Sequence, residues 1–326
     1  MTLGRFTTPS YTPHLAAAPL EVTWDALIQL DSHALERPLV SVVIPTYHRA
    51  ALLEEAVRSA LAQTHDPLEV LVEDDGSTDG SGERLAALGD PRVRYAWAPN
   101  AGRPAPARNR GLARARGELV AFLDSDDVWE PSKLGVQVAA LERDPSLLAV
   151  SCDARTLPGD RPYLGLDADR RPSFDELVQA NVVPNSGVVV RREALGAVGL
   201  LDEDPGVAAY EDYDLWLRLL RHRDRSILVL REPLFRYRVS SDSISPGVGR
   251  RDLERTRRVL SKHLDFRPGL SGILAAREAS LRRSELRAGL RDGSLSLGDW
   301  LSAPEVPLRR RLRLAAKALF VGRQRC

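Results

Sequence analysis

The sequence predicts an α/β fold, a mostly parallel sheet flanked by helices, from three features of residues 39–127. Continuous apolar runs of strand length recur at Leu39–Pro45 (LVSVVIP), Leu68–Val72 (LEVLV) and Leu119–Leu123 (LVAFL), as expected of strands covered on both faces. Segments of helical spacing separate them, notably Ala50–Gln63, with apolar residues at 53, 56, 57, 60 and 61. Each run ends in a polar cluster: Thr46–Arg49, Asp74–Thr78 and Asp124–Asp127. Alternating strand and helix give a parallel sheet, and such sheets bind ligands at the carboxyl ends of their strands.

In chain order, Pro45 closes the first strand, since proline gives up a ladder donor. A helix is expected near Gly80–Leu88 and a short strand near Val93–Ala96. A loop carrying Gly102, Pro104 and Pro106 then turns helical before Gly117. Beyond residue 130 the pattern predicts a helix at Ser132–Glu142, a strand at Leu147–Ala154 and a surface loop over Leu157–Pro172, rich in proline, glycine and aspartate. A short helix at Phe174–Ala180, a strand at Val188–Val190 and a helix at Arg192–Val198 follow. Tyr210–Arg221 reads as a helix, with closing strands at Ile227–Leu230 and Leu234–Val239. Three regions are expected: an N-terminal arm over residues 1–37, the α/β domain over 38–248 and a helical basic extension over 249–326.

Composition narrows the class. The 326 residues are 43% hydrophobic and 28% charged, an ordinary globular balance. Two cysteines, Cys152 and Cys326, are too few for a disulfide framework and fit a reducing compartment. With no apolar run of membrane-spanning length and no signal-peptide core near the start, a cytoplasmic protein is expected. The net charge of +1 conceals an asymmetry, because residues 250–326 hold 19 basic and 8 acidic side chains. A basic tail on an acidic body implies an anionic partner.

The stretch LVAFLDSDD, Leu119–Asp127, carries the strongest chemical signal. Three carboxylates in four residues raise one another's pKa unless a cation or hydrogen-bond donors hold them. Strand alternation would turn Asp124 and Asp126 to one side, a geometry for a hard divalent ion, Mg²⁺ or Mn²⁺. Helix capping would need one aspartate, not three. Downstream, Asp212 shares a helix face with Leu215, Trp216 and Leu219. A carboxylate on an inward face fits a general base, and equally a first-turn anion favoured by the helix dipole, the reading that suits Glu211 better than Asp212. Burial would raise the Asp212 pKa and the helix start would lower it. Asp74 and Asp75 exceed what the Gly76–Ser77 turn needs, so one fits an acceptor for a nucleobase or ribose. Arg103, Arg108 and Asn109 are placed to meet a diphosphate or base. The six histidines show no ligand spacing.

Together these residues resemble a family 2 glycosyltransferase of the GT-A type over roughly residues 39–245. The resemblance rests on SVVIPTYHR (41–49), VEDDGSTDG (72–80), ARNRGLARARGELVAFLDSDD (107–127) and EDYDLWLRL (211–219). It implies a GT-A, Rossmann-like sheet and an inverting transfer of a sugar from a nucleotide diphosphate to an acceptor hydroxyl. Pro45, Thr46, Tyr47 and Arg49 would line the nucleotide pocket, and Asp75, with Asp74 beside it, would accept from the base. Asp124, Asp126 and Asp127 would hold the metal, with Ser125 beside the nucleotide, and Asp212 would be the base. Arg108 and Asn109 match the segment flanking the nucleotide. The donor would be a UDP-sugar first, with dTDP or GDP as alternatives. The acceptor would be a cell-envelope glycan or lipid-linked chain, with Asn185, Ser186 and Glu211 as acceptor-side candidates. The chain departs from the family at Tyr237-Arg238-Val239, which Ser240 follows where many members place histidine.

In the tail, Arg250–Leu264 and Ser271–Leu290 read as helical. Leu308–Phe320 aligns Leu308, Leu312, Ala315 and Leu319 opposite Arg310, Arg313 and Lys317. This pattern fits a helix lying on anionic lipid and equally a packing helix with a solvated basic face; no nucleic-acid motif is present. Two rival readings remain from the sequence. One is a nucleotidyltransferase of related fold, which would want a glycine-rich basic loop after the first strand. The other is a non-catalytic nucleotide-sugar-binding protein.

Overall fold

A computed structural model describes residues 37–221, 226–239 and 250–267, together with scattered positions between 269 and 298. The expected N-terminal arm, most of the second tail helix and the basic segment at 308–320 lie outside the described residues.

The apolar runs become the core of an eight-stranded sheet. In chain order the elements are β1 (Val40–Thr46), α1 (Ala50–Leu61), β2 (Leu68–Asp74), α2 (Ser81–Ala86), β3 (Val93–Trp97), α3 (Pro104–Arg114), β4 (Leu119–Phe122), β5 (Val128–Trp129), α4 (Lys133–Arg143), β6 (Leu147–Leu157), α5 (Phe174–Gln179), β7 (Val189–Arg191), α6 (Arg192–Val198), α7 (Glu211–Leu219), β8 (Ser226–Arg238) and α8 (Arg250–Ser261). The strand order is β3-β2-β1-β4-β7-β6-β8-β5. β1, β2, β3 and β4 run parallel, as do β6 and β8, while β7 lies antiparallel between β4 and β6. The sheet is therefore more mixed than the sequence implies, and short β7 is what reverses direction.

Alternation explains why the strands read as unbroken apolar runs. Along β1, Val42 and Ile44 enter the core on one face of the sheet and Val43 enters the core on the other. All seven residues of β1 and of β2 are buried. α3 comes close enough to β1 that a Cβ at Gly111 would stand 2.6 Å from Val43, so glycine there sets the helix-to-sheet distance. Because β4, β6 and β8 share the direction of β1, their carboxyl ends all open on one edge.

Three local readings change. The two closing strands are one long strand, β8, which passes Pro233 through register shifts opposite Cys152 and Asp153. β5 and the 3₁₀ turn Asn185–Gly187 are too short for a periodic signal. The loop over 157–172 is tied to the body, because the buried Asp153 carboxylate accepts from the backbone N–H groups of Leu164, Gly165 and Leu166.

Candidate active site

The carboxyl edge encloses a cavity of about 560 Å³ into which most of the sequence-predicted site residues converge. The end of β1 contributes Pro45, Thr46, Tyr47 and Arg49, and the end of β2 contributes Asp75. Asp75 accepts from the Ala101 N–H at 3.0 Å and from Arg110 at 3.3 Å. Gly76, with φ +97°, lets Asn100 press against this turn, where any Cβ would lie 2.8 Å from the Asn100 nitrogen. Arg103 and Arg108 enter from the start of α3.

Asp124–Asp127 is a turn rather than a strand extension, because β4 ends at Phe122 and the Asp127 N–H donates to the Asp124 carbonyl. Side-chain alternation therefore does not apply. Asp124 accepts from Arg108 at 2.6 Å and from Asn185 at 3.0 Å, and Asp126 pairs with Arg49. Burial, then the charge of Asp124, raises the Asp126 pKa against the pull of Arg49. Asp127 is buried and accepts from the Arg238 N–H at 2.9 Å; burial and Asp124 push its pKa well up. Asp127 also lines the cavity, beside Asp124 and Asp126. Ser125 is buried on the cavity wall.

The opposite wall is the start of α7. Both Glu211 and Asp212 face the cavity, and Glu211 is the more deeply buried, a difference from the sequence expectation. The reason is Arg108, whose guanidinium bridges Glu211 and Asp124 at 2.6 Å each. Burial disfavours that cation, but Asp124, Glu211 and Asp212 outweigh it and hold Arg108 protonated. Burial, then the Glu211 charge, pushes Asp212 up to about 7, against Arg108 and the Tyr213 N–H. Burial thus prevails over the helix start.

Two expected nucleotide contacts fall outside the cavity. Asp74 is fully buried and accepts from the Ser77 N–H at 2.7 Å and the Tyr95 hydroxyl at 2.7 Å. Asn109 links α3 to the 200s loop, donating to the Leu201 carbonyl and Glu203 and accepting from the Leu201 N–H. Their polar atoms serve the scaffold. Of the acceptor-side candidates, Ser186 accepts from the Asp124 N–H at 3.0 Å and so shapes the acidic turn, while Asn185 and Glu211 each leave a buried oxygen without a partner in the protein. Sequence reasoning missed Asn100, Tyr163, Asn181, Tyr210, Tyr237 and Arg238 as lining residues. Only Tyr237 and Arg238 carried a signal, through the departure from the family pattern.

Among the described residues no group of three or more His, Cys, Asp and Glu side chains is placed to hold a metal. Asp124 and Asp126 nevertheless offer hard oxygens at the cavity floor. A small divalent ion that takes its remaining ligands from water and diphosphate fits that donor set.

Comparison with known proteins places this arrangement. The glycosyl transferase family 2 profile matches residues 41–199. A Bacillus subtilis protein named as a teichuronic acid biosynthesis glycosyltransferase, TuaG, is 31% identical over 212 residues, covering 64% of this chain and 82% of its own. The Escherichia coli UDP-Glc:alpha-D-GlcNAc-diphosphoundecaprenol beta-1,3-glucosyltransferase WfgD is 29% identical, covering 64% and 79%. Other relatives are longer: an uncharacterized Nostoc glycosyltransferase, 32% identical across 50% of this chain, is matched over 54% of its length. Among solved structures, Staphylococcus aureus TarS 1-349 in complex with UDP-GlcNAc superposes with a TM-score of 0.63 at 19% identity, over 83% of this chain and 82% of that one. A Pyrobaculum calidifontis mannosyltransferase in complex with GDP-Man and Mn²⁺ superposes at 0.56 and 21% identity, over 88% and 81%. The chain belongs to glycosyl transferase family 2. It is a glycosyltransferase whose sheet and flanking helices have the GT-A form.

Proposed function

We propose that residues 38–248 form a catalytic domain that transfers a sugar from a nucleoside diphosphate to an acceptor hydroxyl with inversion, in the synthesis of a cell-envelope glycan. The observation that carries this reading is the shared cavity: the β1 and β2 ends, the acidic turn and Asp212 meet around one space. Asp75 and Thr46 stand where a base and ribose would lie, with the Thr46 hydroxyl oxygen unpartnered in the protein. Arg49, Arg103 and Arg108 surround the diphosphate position and favour its charge. A divalent cation held by Asp124 and Asp126 would add Lewis-acid charge at the leaving group. The Asp212 carboxylate accepts the proton of the acceptor hydroxyl as that oxygen bonds to the anomeric carbon. The bond from that carbon to the diphosphate oxygen breaks, and its electron pair leaves with the nucleotide. One displacement needs no covalent sugar–enzyme intermediate, so a single carboxylate suffices.

Support for UDP as the nucleotide comes from WfgD, named for UDP-Glc, and from the TarS complex with UDP-GlcNAc; the mannosyltransferase complex with GDP-Man keeps GDP in view. WfgD is named for an alpha-D-GlcNAc-diphosphoundecaprenol acceptor and TuaG for teichuronic acid biosynthesis, which favours a glycan or lipid-linked acceptor here. Among the described residues no helix is long and apolar enough to cross a membrane. The extension over 249–326 is read as a basic helical appendage that brings the enzyme to the cytoplasmic face of an anionic membrane.

Proton NMR of the intact chain turning over UDP-, dTDP- and GDP-sugars with the diamagnetic Mg²⁺ tests the reaction. The expected result is slow sugar release that appears first as the inverted anomer with one of the three, and falls at least about a hundredfold in Asp212→Asn. Release of the retained anomer, or release indifferent to Asp212→Asn, contradicts the mechanism.

A further inference from the structure

One wall of the cavity holds an aromatic pair that the mechanism leaves unused. Tyr163, in the loop after β6, and Tyr237, near the end of β8, lie against each other as a tilted pair, ring centroids 4.7 Å apart and interplanar angle 42°. Both line the cavity, and Tyr163 stays 44% exposed at its mouth. In the sheet order, β6 and β8 lie beyond β4 from β1 and β2, so this wall sits across the acidic turn from Thr46 and Asp75. Burial of the Tyr163 hydroxyl, then Tyr237, Asp212 and Asp127, pushes it up to about 12, which sets the ring within the field of the proposed base.

The loop that carries Tyr163 is rigidly moored. Asp153 receives three backbone N–H groups from residues 164–166, and the Tyr163 N–H donates to the Ala154 carbonyl at 2.9 Å. Packing alone would account for a tilted pair, but it would not call for a half-exposed ring over a cavity on a loop anchored this way. A second observation specifies the ligand. The Asn185 and Glu211 side chains, each at least nine-tenths buried and lining the same cavity, hold Oδ1 and Oε2 without a hydrogen-bond partner in the protein. Two unpaired acceptors in a cavity that also has an aromatic wall call for a molecule with hydroxyl donors at its edge and polarised C–H groups on its flat side.

We propose that Tyr163 and Tyr237 form a stacking platform for the acceptor, and that the acceptor presents a pyranose ring whose hydroxyls donate to Asn185 and Glu211. This deepens the glycosyltransferase reading and rests on it. An acyclic polyol bears the same hydroxyls but no flat C–H face, and is the natural control.

Saturation-transfer NMR on the intact chain in the presence of UDP and the diamagnetic Mg²⁺ tests the platform, with methyl β-D-glucoside, methyl β-D-N-acetylglucosaminide and sorbitol as probes. Transfer to the ring C–H protons of at least one glycoside is expected in the wild type and in Tyr163→Phe, with at least a fivefold loss in Tyr163→Ala and none to sorbitol. Transfer to neither glycoside, equal transfer to sorbitol, or undiminished transfer in Tyr163→Ala overturns the proposal. The UDP signals, recorded in the same samples, separate the two failures. Bound UDP without glycoside transfer defeats the platform alone, whereas absence of UDP transfer defeats the reading on which it rests.

Discussion

Arg108 is the residue on which the acidic walls balance. Its guanidinium is buried between Glu211 and Asp124, and removing one partner of a buried pair leaves an uncompensated charge, costing about 3–5 kcal/mol. Arg108→Ala is therefore expected to lower the thermal midpoint sharply, and calorimetry that found the variant as stable as the parent would contradict the bridge. Asp212 behaves in the opposite sense. Its carboxyl is raised to about 7, so between about pH 4 and 7 the folded state binds more protons than the unfolded chain, and stability from this group falls as pH rises. Holding it ionised at high pH costs at most about 4 kcal/mol. Asp212→Asn should accordingly gain stability at pH 8 while losing turnover. Activity runs the other way: the base must be ionised, so kcat/KM, which reports the free enzyme, should climb through about pH 7 and fall about tenfold per pH unit below it. A kcat/KM flat from pH 5 to 8 would remove Asp212 from the proton transfer.

At the scale of elements, α3 and α7 face each other across the cavity, and each is set by a feature far from the chemistry. Gly111 brings α3 onto β1, so Gly111→Val would push the start of α3, with Arg108, away from Glu211. It is expected to cost about 1–3 kcal/mol of stability from overpacking, and to lower nucleotide affinity as well; a variant with native urea midpoint and native affinity would refute the close contact. α7 is held from behind by Asp214, which accepts from Arg218 at 2.8 Å and faces the buried His263 just beyond α8 at 3.3 Å. Much of this was legible in sequence, because buried strands and amphipathic helices leave strong periods and the strand ends carry clusters of carboxylate. What was not legible depends on contact. Nothing local distinguishes Asp74, consumed by Ser77 and Tyr95, from its neighbour Asp75 in the cavity. The depth of Glu211 is set by an arginine 103 residues away, and β5 and the Asn185 turn are shorter than any period.

At the scale of the whole molecule, an acidic catalytic body carries a basic end. α8 and the residues after it are tied to the body through Arg258–Asp204, Lys262–Asp202 and Arg267–Asp175, besides His263. The described part of the extension therefore belongs to the fold, while the basic segment over residues 308–320 lies outside the described residues, and its pattern fits lipid contact and packing equally. Deleting 305–326 should move protein from the membrane to the soluble fraction while sparing release of sugar from the donor; unchanged fractionation would reject lipid binding.

The account depends most on the claim that the acidic turn and the β1 and β2 ends hold one nucleotide diphosphate, with Asp212 outside that contact. Calorimetric titration of the intact chain with UDP in Mn²⁺ reads this directly. The prediction is binding in the wild type, a dissociation constant within about threefold of it in Asp212→Asn, and a loss of at least about tenfold in an Asp124→Asn, Asp126→Asn double variant, the equivalent of about 1.4 kcal/mol or more. Undiminished binding in the double variant, or equal loss in Asp212→Asn, would contradict it.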